Sequence, residues 1–391
     1  MSVVLSRRRL DSGLAAWLRE LAAAVDADNL TPEVSSRDSR TVRLLAAAPA
    51  HLAGNAALAL TDIASDPGRP LRLLRSDRVC SDFTVMADDA SVNLVVARMT
   101  VPGGPWPGHF GLEAVAFRAA PARTPDWFPP LAVAHPLCFG VPLAASRGFA
   151  EGGGAVLFPE QLSVVNRPSG QAFGVVFLPK LAALFTTHVL PVIDAAGAGF
   201  DLSDRAELEE MRAVAFAAHE WGHNAGAPIE QTTVTRRRRF AAVLSELHAD
   251  LAALEMLLSG RYHSVARPAA WLLVADRVVR EAWLPRPYAQ VDAIAARHLL
   301  QMLATAGALS FGRAGLRIEL GPVADAAQSE LGHVAEVLAA CRSGDLQPAV
   351  EYLDSCGWHI KDTDCWLDLG ANLGAALTRH SPASAAQQWA A

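Results

Sequence analysis

The stretch His219-Glu220-Trp221-Gly222-His223 carries two imidazoles four positions apart, with a carboxylate next to the first. On an α-helix, residues i and i+4 share one face about one turn apart, so His219 and His223 can reach a single Zn²⁺. Glu220 then lies beside the open coordination position. There it can take a proton from a water whose pKa zinc has lowered to roughly 7. A tetrahedral site needs a third protein ligand, and Glu246 is the candidate. Glu246 and Asp250 are again i and i+4. One helix face would therefore offer a ligand carboxylate and, one turn on, a second carboxylate to accept the free ring N–H of a ligand histidine. His248 points off that face and is not expected to bind metal.

Two helices must hold these groups. The first is signalled by Asp204 with Glu207 as a capping box and by Leu208, Met211, Val214, Ala215 and Ala218 at helical spacing. Asn224, Gly226 and Pro228 should stop it. The second carries Phe240, Val243, Leu244, Leu247, Leu251, Leu254 and Leu258 as an apolar stripe and ends at Gly260.

An H-E-x-x-H pair followed by Glu246-x-x-x-Asp250 resembles the gluzincin metallopeptidases. Glu246-Leu247-His248-Ala249-Asp250 and the later run from Ala295 through Arg297 and His298 to Gly307 distantly resemble the dipeptidyl-peptidase III family. The likeness spans roughly residues 205–310. It implies His219, His223 and Glu246 as ligands, Glu220 as general base and Asp250 as the partner of a ligand ring. The chain departs from the family twice. The family's usual motif has one more residue before its second histidine, and its later helix has a histidine before the Ala-Arg pair. Here Ala293 stands near that place and His298 follows Arg297. Metal binding carries over better than dipeptidyl-peptidase specificity. His298 is the favoured oxyanion stabiliser and Arg297 the favoured carboxylate clamp; Tyr262, His263 and Tyr288 are further candidates.

With 391 residues, 51% of them hydrophobic and 19% charged, the chain is globular and can bury a large core. A net charge of −6 argues against a nucleic-acid partner. Arg236 to Arg239 point round a whole helical cylinder and make no basic face. Arg7, Arg8 and Arg9 faintly resemble a twin-arginine signal, but Asp11, Arg19 and Glu20 interrupt the apolar run that such a signal needs, and an amphipathic helix is expected instead. No run reaches the ~18 apolar residues of a membrane span. Five scattered cysteines suit a reduced, cytoplasmic setting. Cys356, His359 and Cys365 match no common zinc module and are expected to be ordinary buried side chains.

The expected fold is α+β and predominantly helical. Residues 1–79 form a helical region, 80–200 a mixed lobe with a small antiparallel sheet, and 201–391 a nearly all-helical zinc-binding region. Strands are expected over 83–86, 92–99, 111–117, 155–158 and 173–178. Helices are expected over 40–48, 51–63, 181–195, 267–282, 288–306, 324–341, 347–356 and 367–380. The expected function is a zinc-dependent hydrolase attacking an amide carbonyl in a small peptide or amide-containing molecule. The alternative is a non-peptidase zinc enzyme performing an elimination, rearrangement or small-molecule hydrolysis. A structural zinc in a binding protein is disfavoured by the intact Glu220. Oligomeric state is not legible.

Overall fold

The computed structural model describes residues 12–30, 40–49, 93–100, 110–120, 137–146, 155–157, 174–223, 225, 239–260, 264–283, 291–341, 345–361 and 364–367. The chain forms two compact units, Met1–Ala122 with Val133–Leu181, and Arg123–Ala132 with Ala182–Ala391. The fold is α+β and predominantly helical. Among the described residues, no helix is long and apolar enough to cross a membrane.

In the first unit, α1 (Ser12–Leu30) and α2 (Arg40–Ala46) cover one face of a five-stranded sheet. Leu14, Leu18, Leu21 and Val25 recur at helical spacing and meet Leu45, Ala114 and Ala116 in one apolar cluster. The strands are β1 (Asn93–Thr100), β2 (Phe110–Ala120), β3 (Leu137–Ala145), β4 (Ala155–Leu157) and β5 (Gly174–Val176), in the spatial order β1-β2-β3-β5-β4. All neighbouring pairs are antiparallel except β3 with β5, which is parallel. The sheet is therefore mixed rather than purely antiparallel. Strand β3 was missed in the sequence because Cys138-Phe139-Gly140-Val141-Pro142 lacks a clean alternation and carries a proline. The strand expected over 83–86, the helix over 51–63 and all but the first residue of the helix over 367–380 lie outside the described residues.

The long run of the second unit starts within α3 (Leu178–Leu184), which continues into a π turn at Phe185–Val189 and a 3₁₀ turn at Leu190–Val192. A single helix over 181–195 was expected; Pro191 ends it early by removing a backbone donor. Next come α4 (Arg205–Gly222), α5 (Arg239–Leu258), α6 (Ala266–Val279) and α7 (Val291–Thr305). They are followed by α8 (Leu320–Cys341) and α9 (Gln347–Ser355). Helix α5 is central and packs against α4, α6, α7 and α8. Helix α6 is buried on every side, with only Arg267 exposed in the run from Ala266 to Val279. Two hairpins fall in the stretches between the expected helices of this nearly all-helical region. They are β6 (Leu309–Gly312) with β7 (Gly315–Ile318), and β8 (His359–Lys361) with β9 (Asp364–Trp366). Strands of three or four residues are too short for alternation to stand out from a helical pattern.

Candidate metal centre

Helix α4 starts where Asp204 accepts hydrogen bonds from the Ala206 and Glu207 amides at 2.8 and 3.3 Å. The expected capping box is only half formed, because Glu207 accepts from the Asp201 amide instead. The helix ends at Gly222, one residue before the second histidine. His223 keeps helical angles (φ −59°, ψ −25°), so its ring stays on the His219 face. The two ring centroids are 4.8 Å apart.

Gly222 explains how α4 and α5 come together. A Cβ at this position would lie 2.2 Å from the Ala249 carbonyl oxygen and 2.8 Å from its Cα. Only a glycine permits that crossing, and the crossing sets Glu246 and Asp250 beside the histidines. His248 turns away and donates to the Gly222 carbonyl, as a C-terminal cap for α4. Gly222 was missed in the sequence, where it reads as a spacer between Glu220 and His223.

The gathered groups fit a zinc ion by donor type and spacing. The ligand atoms of His219, His223 and Glu246 lie within 4.8 Å of one another. Glu246 Oε2 is 3.2 Å from His219 Nε2 and 3.7 Å from His223 Nε2. Bonds of about 2.0–2.2 Å arranged tetrahedrally give ligand–ligand separations of about 3.4 Å. Two imidazoles and one carboxylate are a zinc donor set that leaves a fourth position open.

Around this set the structure places a buried polar shell. Asp250, fully buried, accepts from His219 Nδ1 at 2.7 Å, which leaves Nε2 to face the carboxylate of Glu246. Burial and Arg277 both disfavour a charged His219, but Asp250 and Glu246 outweigh them and its pKa is raised. Burial alone would raise the Asp250 pKa; Arg277 and His219 hold it below the usual range. Glu220 is buried, and burial pushes its carboxyl up to about 7. The Glu246 and Asp292 carboxylates push the same way, against the pull of His219 and Arg277. Asp292, at the start of α7 and only partly buried, is hydrogen-bonded to Glu246, and lost hydration together with that neighbour pushes its carboxyl up to about 6. Neither Asp292 nor Arg277 carries a motif in the sequence; only the packing of α6 and α7 on α5 reveals them.

The structure does not bring His298 into this group. Six residues separate it from Asp292, which turns it about 120° round α7. Its Nδ1 accepts from the Trp358 indole N–H at 3.0 Å. A neutral ring so held carries its proton on Nε2, which faces the Tyr352 hydroxyl at 3.3 Å and the Glu330 carboxylate at 3.4 Å. Tyr352 also donates to Glu330. His298, expected to serve the reaction, stands here as a donor in a packed hydrogen-bonded set. Cys356 belongs near the same set, with a ligand atom within 4.8 Å of those of His298 and Glu330. That trio is a poor metal site, since a histidine ligand ordinarily donates its second N–H and this one accepts there. Cys356 is half-buried, and burial raises its thiol pKa. Arg297 is half-buried and donates to the Leu367 carbonyl at 3.4 Å. Tyr262, His263 and Tyr288 lie outside the described residues, as do the side chain of Cys365 and residues 236–238.

No protein-family model and no curated protein sequence matches the chain. Solved structures do. Dipeptidyl-peptidase III from Corallococcus sp. strain EGB is 16% identical with a TM-score of 0.56, over 90% of this chain and 70% of that one. DPP III from Caldithrix abyssi is 13% identical with a TM-score of 0.55, over 88% of this chain and 68% of that one. At these identities the likeness is one of fold.

Proposed function

We propose that the protein is a zinc-dependent hydrolase of gluzincin type that cleaves an amide bond, most simply in a small peptide. The observation that carries this reading is the convergence of His219, His223 and Glu246 at tetrahedral spacing, with the buried Glu220 carboxylate next in sequence to a ligand. The dipeptidyl-peptidase III fold of the neighbours supports it.

His219 Nε2, His223 Nε2 and Glu246 would hold the metal. Zinc bound there supplies a Lewis acid and lowers the pKa of a water. Glu220 takes the proton of the attacking water and delivers it to the departing amine. Burial pushes its carboxyl up from the ordinary carboxylate range, the direction that suits a group which takes a proton and returns it. Asp250 holds the Nδ1 proton of His219 and so fixes its tautomer.

The test is a peptide-library cleavage assay on metal-quantified protein, with Glu220→Gln alongside. Cleavage by wild type and not by the variant is expected; equal cleavage by both contradicts the assignment of Glu220. One observation favours a second reading, a non-peptidase zinc enzyme on the same scaffold. Helix α7 offers the site Asp292, an acid, and holds His298 in another contact set. One zinc per chain without cleavage of any library member would establish that reading in place of the first.

A further inference from the structure

Arg277 is a charged side chain buried to 7% exposure, and nothing in the sequence marks it. It enters from α6. Its Nε donates to Asp250 Oδ1 at 3.0 Å, the same oxygen that accepts from His219 Nδ1 at 2.7 Å. Its Nη1 is bonded to Glu281, in the 3₁₀ turn after α6, and reaches Asp292 of α7 at 3.4 Å. Its Nη2 lies 3.1 and 3.4 Å from the two ring nitrogens of His219, so the guanidinium rests against the imidazole. One planar group thus touches side chains from α4, α5, α7 and the turn after α6.

The consequence is geometric. A carboxylate that accepts one hydrogen bond can swing about it, whereas two donors on one oxygen fix its direction. Glu281 and Asp292 hold the far side of the guanidinium, so the fork cannot turn out of register with Asp250. The ring of His219 is then set by Asp250 at its Nδ1. Lysine, a point charge on a flexible stem, cannot make these contacts together.

We infer that Arg277 is a positioning residue of the metal centre: it fixes the Asp250 carboxylate and, through it, the His219 ring that presents Nε2 to the metal. This rests on the metal-binding reading of His219, His223 and Glu246 given above. The experiment is a zinc titration of the full chain by chelator competition, on wild type, Asp250→Asn, Arg277→Met and the double variant. Far-UV circular dichroism reports folding in each. Arg277→Met and Asp250→Asn are each expected to bind zinc about 10–100-fold more weakly than wild type. The double variant should match Asp250→Asn within about twofold, because the arginine acts through the aspartate. Wild-type affinity in Arg277→Met, or losses that multiply in the double variant, would overturn the inference. If Arg277→Met does not fold, Arg277→Lys carries the comparison. It keeps the charge without the fork and is expected to bind zinc roughly tenfold more weakly; unchanged affinity in it overturns the positioning role. A wild-type chain that binds no zinc overturns the metal-binding reading itself, an outcome distinct from any variant result.

Discussion

Glu220 is the residue on which turnover should depend and metal binding should not. Glu220→Gln keeps the shape of the side chain and removes its capacity to take a proton. It should retain one zinc and lose about 10²–10⁴ in kcat, read from metal analysis and steady-state cleavage of a library-derived peptide. His298 should behave in the opposite way. His298→Phe leaves the Trp358 indole N–H without its acceptor in a buried place, at a cost of about 1–3 kcal/mol. Denaturant unfolding should show that loss while zinc content stays at the wild-type level. The contrast between these residues marks what the sequence discloses. The grouping of His219, His223, Glu246 and Asp250 is local, set by i, i+4 spacing on two helices, and that spacing is visible in the sequence. His298 looked similar by position alone, but the direction of a side chain on α7 depends on the hairpin that brings Trp358, and no spacing records that.

At the level of elements, the site depends on how closely α4 and α5 cross. Gly222→Ala places a methyl 2.2 Å from the Ala249 carbonyl oxygen, so the two helices must separate. Overpacking of this kind costs about 1–3 kcal/mol, and the metal-free variant should unfold at lower denaturant by that amount. Because His219 and His223 sit on one helix and Glu246 on the other, the same variant should also bind zinc more weakly in a chelator competition. Equal affinity would mean that the crossing does not set the ligand spacing. The helices themselves were readable from their apolar stripes, and α4, α5, α6, α8 and α9 fall within a few residues of expectation. The crossing was not readable, since a helix–helix contact is a property of two segments and Gly222 announces nothing alone. The hairpins at 309–318 and 359–366 were lost for a different reason, being shorter than the period that would reveal them.

Over the whole molecule, the second unit is tied together by buried ion pairs as well as by apolar packing. Asp276 of α6 meets Arg212 of α4 at 2.7 Å and Arg280 at 2.7 Å, with all three side chains nearly closed to solvent. Burial would raise the Asp276 pKa, but the two guanidinium groups hold it well below the usual carboxylate range. A carboxylate with a depressed pKa contributes stability that is present above its unfolded pKa of about 3.9 and lost as pH falls below it. The Asp276 contribution should therefore be steady near neutrality and fall away below about pH 4, an acid limb that Asp276→Asn should flatten. That variant should also cost about 3–5 kcal/mol at neutral pH by stranding two buried cations. Composition and periodicity made the predominantly helical α+β class legible. The parallel pairing of β3 with β5 was not, because it joins segments that local pattern does not relate. The central claim is that zinc sits on α4 and α5 between His219, His223 and Glu246. Zinc-edge X-ray absorption on protein loaded with one equivalent tests it most directly. About four nitrogen and oxygen neighbours near 2.0–2.1 Å are expected, with imidazole scattering and no sulfur. A sulfur neighbour near 2.3 Å would put the metal on a cysteine and contradict it.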